Sequence, residues 1–329
     1  MEGWEAARKK PRSHVSLPTL SVCVVTYERP AFLDRCLAGL AALEDPVEEV
    51  VVVDASAADR SAYVDAHGLP LRFVWAPQLA GWMTRSRNEA LRWVTGDVVA
   101  FLDDDVVVGA GWSRALRAVF GDASVAAAAG RTRNGIEGEE HYDQPVGRYL
   151  PTGRLTEGFA VTAAEPFEVD HGIGANMVFR RTVLADLGGF RDDYPGTALR
   201  EDTDVFLRVR RVGGRVLFAP DAVVDHRPAP HVRGARFDTR YKLYGRRNHL
   251  VLLARHRGLG SADVWRWVTG ELRGVADASG LRGRSLRLGV TVVGVAWGLG
   301  AAVRQASWGP TEPRRAGSQA QEIRARLSR

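Results

Sequence analysis

Short, unbroken runs of apolar residues constrain this chain more than any other feature: Val22 to Val25, Val50 to Val53 and Val98 to Leu102. Runs without polar alternation fit strands buried on both faces, not strands with one wet side. Between them lie stretches with helical spacing. Residues 31–43 carry apolar side chains at 32, 33, 36, 37 and 40, and residues 85–94 and 112–120 also read as helices. Leu71–Trp75 and Val125–Ala129 add two further strands. Strands alternating with helices predict an α/β fold, with a mostly parallel central sheet and helices on both faces. In such sheets ligands bind beyond the carboxyl ends of the strands. Tyr27, Asp54 and Asp103 to Asp105 all fall at that edge.

The third run ends directly in Asp103-Asp104-Asp105. Adjacent carboxylates repel, and each raises its neighbours' pKa unless a cation or several donors compensate. Either the triplet is a solvated acidic turn or it holds something positive. A second acidic group, Glu201-Asp202 with Asp204, opens a predicted helix whose apolar face is Val205, Phe206, Val209 and Val212. Acidic residues in a first helical turn are favourable in themselves, so a purely structural role competes with a chemical one.

At 329 residues the chain has room for one large domain and an appendage. Its net charge of +6 is unevenly spread: from Arg227 onward, 20 Lys/Arg stand against 6 Asp/Glu, while the body before it is net acidic. A basic C-terminal third suggests an anionic partner such as a membrane surface or a phosphorylated substrate, with no specific nucleic acid implied. Cys23 and Cys36 make neither a disulfide framework nor a zinc site, and a reducing cytoplasm fits them. Residues 1–17 read as a flexible basic leader without the apolar core of a signal peptide. Residues 18–230 form the body, divided near 130, with a Gly-, Glu-, Pro- and Thr-rich loop region over 131–168. A basic helical extension is expected over 231–309 and a disordered tail over 310–329. Within the extension, 288–303 is free of charge and about 24 Å long as a helix, short of a bilayer core, so an interfacial or packed position is expected.

The order of motifs resembles the family 2 glycosyltransferases. The matching pieces are Ser21-Val-Cys-Val-Val-Thr-Tyr-Glu-Arg-Pro30, Val51-Val-Val-Asp54, Ser86-Arg-Asn88, Gly96-Asp97 leading to Phe101-Leu-Asp-Asp-Asp105, Gly174-Ala-Asn-Met177, Gly188-Gly-Phe190, Glu201-Asp202 and Pro220-Asp-Ala-Val-Val-Asp-His226. The resemblance implies a GT-A fold with a nucleotide-binding half over 18–130 and an acceptor half over 131–230. It implies an inverting transfer of sugar from a UDP- or dTDP-sugar to an acceptor hydroxyl on a glycan, lipid-linked or small molecule. It also implies a divalent metal, Mn²⁺ or Mg²⁺, whose carboxylate ligands neutralise the diphosphate leaving group.

Carried over residue by residue, Asp105, Asp103 and His226 are the expected metal ligands, with Asp103 and Asp104 also within reach of the ribose. Asp202 is the expected base, Glu201 a positioning neighbour and Asp204 the fallback. Thr26, Tyr27, Glu28, Asp54 and Arg87 resemble the nucleotide pocket: Asp54 is suited to accept a base imide N–H, and Arg87 to stack on the base or reach a phosphate. Gly174 and Asn176 resemble a loop close to the sugar. Two other readings compete. A nucleotidyltransferase would want a Gly-rich basic loop where Thr26-Tyr-Glu-Arg-Pro30 stands. A non-catalytic protein binding anionic surfaces would account for the basic tail but not for the acidic groups.

Overall fold

A computed structural model of the chain describes residues 17–196, 198–229, 238–305 and 319–328. The expected leader, except residue 17, and the start of the expected extension lie outside these. Strands β1 (Leu20–Thr26), β2 (Glu49–Asp54), β3 (Leu71–Trp75) and β4 (Val98–Asp103) pair in parallel in the order β3-β2-β1-β4. Helix α1 (Pro30–Ala41) starts on a proline, whose fixed φ and missing N–H suit a first helical turn. Its Leu33, Leu37 and Leu40 pack with Trp112, Leu116 and Phe120 of α3 (Trp112–Phe120) against Val22, Val24, Val50 and Val52. The alternate residues Cys23, Val51, Val99 and Phe101 face a second core on the other side, together with Ala90 of α2 (Met83–Ala90). Two cores on opposite faces of the same strands explain the unbroken apolar runs.

The second half adds β5 (Val106–Val108), β6 (Val125–Arg133), β7 (Phe167–Glu168), β8 (Asn176–Arg180) and β9 (Arg215–His226). Here the sheet is mixed. β8 runs antiparallel between β4 and β6, whereas β9 is parallel to β6. A parallel neighbour needs a crossover connection. The chain from β6 to β8 has no helix to provide one, so the return strand inserts antiparallel. Helices α4 (Arg181–Leu187) and α5 (Glu201–Arg211) then carry the chain to β9.

Asn176 ties these strands together. It is fully buried, and its Nδ2 donates to the carbonyls of Arg131 (3.2 Å) and Ala222 (2.9 Å), while its Oδ1 accepts from Trp112 Nε1 (3.1 Å). Its expected place against the sugar is therefore corrected: no polar atom is left for a ligand. Asn176→Ala would strand one buried donor and two buried carbonyls. The expected loss is about 3 kcal/mol of unfolding free energy, read from urea titrations.

Past the body, α6 (Thr239–Arg257), α7 (Ala262–Arg273) and α8 (Gly280–Arg304) form a helical layer. α8 lies close against α6: a Cβ on Gly294 would stand 2.8 Å from Arg246 Cβ, and one on Gly298 would stand 3.0 Å from Leu250 Cβ. The glycines of this stretch thus serve close helix packing. At 25 residues α8 is long and apolar enough to cross a membrane by length and composition, but 39% of its most apolar window is buried in the protein. The tail expectation needs correction over α9 (Ala320–Leu327): Ile323 and Leu327 enter the main core, and Arg181 Nη1 donates to the Leu327 carbonyl at 2.6 Å. Two apolar anchors four residues apart were enough to dock it.

Candidate active site

Register places the acidic triplet. Asp103 ends β4 opposite Val25 of β1, and Thr26 of β1 stands opposite Asp54 of β2. After the Asp104–Asp105 turn, β5 pairs antiparallel with β9, and Val106 is matched to His226. β9 can reach this position because its pairing with β6 skips from Ala219 to Val223, a bulge at Pro220 where proline has no N–H to offer. One ligand atom each from Asp103, Asp105 and His226 lies within 4.8 Å of the others.

The donor set suits a hard or borderline divalent cation. Asn134 Nδ2 donates to Glu139 Oε2 at 3.2 Å, which turns Asn134 Oδ1 toward His226 Nδ1 at 2.9 Å. His226 Nδ1 is then the donor, and Nε2 presents its lone pair toward Asp105 Oδ1, 3.3 Å away. Two acceptors so placed need a cation or a proton between them. Burial pushes the Asp103 carboxyl up, Arg87 pulls it down and Asp105 adds to the rise. Burial acts on Asp105 as well, but a proton on His226 Nε2, the Ala229 N–H 2.9 Å from Oδ2 and the Arg29 guanidinium 3.5 Å from it outweigh burial and hold the carboxyl low.

Asp104 turns away from this cluster. It is buried, accepts from Thr26 Oγ1 at 2.7 Å and pairs with Arg29 Nη1 at 3.2 Å. Burial pushes its carboxyl up to about 6. Its expected reach toward the ribose is corrected to a tie between the ends of β1 and β4.

Arg87 is also placed differently from expectation. It is 1% exposed, with Nη1 bonded to Glu201, and Nη2 lies 3.1 Å from Asp103 and 3.4 Å from the Gly174 carbonyl. Stacking on a base is closed to it; it joins the triplet to the start of α5. A Cβ on Gly174 would sit 2.9 Å from Arg87 Nη2, so glycine there permits the approach. Burial works against the Arg87 charge, but Glu201 and Asp103 outweigh it and hold its proton tightly. Burial pushes Glu201 up to about 8 against the pull of Arg87.

Asp202 is half-buried. Its Oδ2 accepts the Gly174 N–H at 3.1 Å, and its Oδ1 accepts the Thr203 N–H at 2.6 Å. Asp204 is fully buried, with Tyr194 Oη donating to it at 2.9 Å, His256 Nε2 at 3.1 Å, and Arg255, Arg191 and Arg208 within 3.9 Å. No substrate hydroxyl can reach it, which removes it as the fallback base. Burial raises the Asp204 carboxyl, but these partners outweigh it and hold it well below the usual carboxylate range. A depressed carboxyl stabilises the fold above its unfolded pKa, near 4, and that contribution is lost as pH falls below it. Asp204→Asn should cost about 3–5 kcal/mol at pH 7, because the arginines lose their counter-charge. It should also flatten the fall in urea stability below pH 4.

At the other end of the edge, a cleft of about 100 Å³ is lined by Thr26, Asp54, Arg60 and Tyr63. Asp54 Oδ1 accepts from the Ser56 N–H at 2.8 Å and from the Ser56 hydroxyl. Glu28, at φ 56°, spends its carboxylate on the Ala57 N–H (2.8 Å) and Arg60 (2.8 Å), contacts that hold it below its ordinary pKa. These contacts clamp it to the loop after β2. Tyr27 is half-buried beside it. Sequence reasoning passed over Asn134, Glu139, Ser56, Arg60 and the 87% exposed Tyr63; none sits in a motif, and only the fold brings them to the edge.

A family model described as "Glycosyl transferase family 2" matches residues 21–188, half of the chain. The chain belongs to glycosyl transferase family 2. Among family relatives it resembles the succinoglycan biosynthesis protein ExoM of Rhizobium meliloti, 30% identical over 66% of this chain and 69% of that one. It also resembles the pre-mycofactocin glycosyltransferase of Mycobacterium tuberculosis, 30% identical over 67% of this chain but only 45% of that protein. The fold matches a mannosyltransferase of Pyrobaculum calidifontis, solved with GDP-Man and Mn²⁺, at a TM-score of 0.53 and 20% identity, covering 89% of this chain and 88% of that one. The chain therefore has the GT-A fold and is a glycosyltransferase.

Proposed function

We propose that this glycosyltransferase moves a sugar with inversion from a UDP- or dTDP-sugar to an acceptor hydroxyl, with Asp202 as the base. The observation that carries the reading is the convergence of Asp103, Asp105 and His226 at the sheet edge, with Asp202 held across Arg87 and Gly174 from them. Mn²⁺ or Mg²⁺ held by Asp103, Asp105 and His226 would neutralise charge on the departing diphosphate. Asp202, fixed by the Gly174 and Thr203 amides, accepts the acceptor proton. The acceptor oxygen attacks the anomeric carbon as its bond to the diphosphate oxygen breaks. Asp54 and Thr26 line the cleft that would take the nucleoside, where Asp54 would accept a base imide N–H.

The acceptor class is a glycan, a lipid-linked sugar or a small molecule, met in the cytoplasm or at the inner membrane face. The exposed Leu281, Leu288, Val292, Val293 and Val303 of α8, flanked by arginines, support peripheral contact with an anionic bilayer. The test is a panel of nucleotide sugars with Mn²⁺, read by nucleoside diphosphate release and by proton NMR of the product anomer. Inversion is expected, and retention would remove Asp202 from its role.

A further inference from the structure

Most shielded arginines of the body are spent on carboxylates: Arg87 on Glu201 and Asp103, Arg117 on Asp45 and Glu48. Arg200 is different. Among the described residues its half-buried guanidinium makes no ion pair. Its backbone is costly as well, since Arg200 sits at φ 84°, ψ 1°, the left-handed region that disfavours a side chain. Such strain persists only where the surroundings impose it, and it gathers at functional sites. Here the Glu201 N–H bonded to the Ala198 carbonyl (3.0 Å) and the Asp204 N–H bonded to the Arg200 carbonyl (2.9 Å) pin the residue two positions before Asp202.

The neighbours do not cancel the charge. Burial, and after it the Arg200 charge, holds His249 neutral, its pKa pulled down to about 3; burial likewise lowers His171. Both imidazoles bond the 131–168 loop, His171 Nε2 at the Thr156 carbonyl (3.0 Å) and His249 Nε2 at the Gly153 carbonyl (2.7 Å). Arg200, at the start of α5, thus lies close enough to both loop-bound imidazoles for its charge to act on them, and no carboxylate among the described residues pairs with it.

We propose that Arg200 is a specificity-determining residue that takes an anionic group of the acceptor, a phosphate or a carboxylate, and so sets the attacking hydroxyl beside Asp202. This rests on the reading of Asp202 as base. A guanidinium fork fits either group with two parallel hydrogen bonds, and the basic C-terminal third favours a negatively charged acceptor from a distance.

The test is calorimetric, on the full chain, with Mn²⁺ and UDP saturating so that the probe does not occupy the donor site. Inorganic phosphate, glucuronate and citronellyl diphosphate are titrated into wild type, Arg200→Gln and Arg200→Lys. At least one probe should bind wild type, about 10- to 100-fold weaker to Arg200→Gln, with Arg200→Lys in between. UDP affinity should be unchanged in all three. Preference for citronellyl diphosphate over phosphate marks a lipid-linked acceptor, and preference for glucuronate an acidic sugar. No binding to wild type, or equal binding to Arg200→Gln, overturns the proposal. Should wild type bind no UDP, the donor reading falls instead, and the same probes titrated without nucleotide still decide Arg200. Thermal melts of both variants separate lost binding from lost folding.

Discussion

Asparagine in place of Asp105 is expected to weaken Mn²⁺-dependent UDP binding by about 10²- to 10³-fold, the several kcal/mol that a cation contributes at a diphosphate. The reasoning is local. Asp105 Oδ1 is buried and faces His226 Nε2 at 3.3 Å, while Asp103 stands within the same 4.8 Å cluster. The amide keeps the shape and can still accept the Ala229 N–H, but it loses the charge that pairs with a cation. Metal-free Asp105→Asn should melt somewhat below metal-free wild type, since Arg29 and His226 lose the charge they face. Wild type should gain thermal stability on adding Mn²⁺ with UDP, by mass action, and the variant should not. A variant that still gains the full shift would remove Asp105 from the ligand set.

Asp202→Asn should separate binding from chemistry. The single amide oxygen can keep one of the two backbone contacts, to the Thr203 N–H or to the Gly174 N–H, while the other is given up. The Arg87 link from Glu201 to Asp103 is untouched. Nucleotide and metal affinity should stay at the wild-type level. Sugar transfer should fall by about 10²- to 10⁴-fold, the usual contribution of a positioned base. Asp204→Asn offers the contrast: its effect should appear in stability, because its carboxylate is sealed among Tyr194, His256 and Arg255. Full transfer activity in Asp202→Asn would move the base elsewhere.

The layered sheet was legible because it depends on local pattern. Val50 to Val53 can sit in one kind of strand, and the acids directly after the second and third runs, Asp54 and Asp103, mark the carboxyl end of the sheet. The triplet was legible as an electrostatic problem. Its solution was not, because one carboxylate of the three faces the other way. Asp104 pairs with Thr26 and Arg29, 78 and 75 residues earlier, and no local rule distinguishes it from its neighbours. Arg87 and Asn176 show the same limit. Both lie in motifs that suggest ligand contact, yet both are consumed by partners distant in the chain, Glu201 in one case and Trp112 and Ala222 in the other. Asn134 was invisible for the opposite reason: it belongs to no motif, and only the β6–β9 pairing, which sets Arg133 opposite Asp225, brings it to His226. The docked helix α9 was missed because the charged residues around Ile323 and Leu327 read as a solvated tail.

Titrating UDP calorimetrically into the full-length chain, with and without Mn²⁺, addresses the pocket shared by a cation and a diphosphate. Binding should appear with Mn²⁺, vanish on chelation and be lost in His226→Ala. Equal affinity with and without the metal, or none in either case, would contradict it.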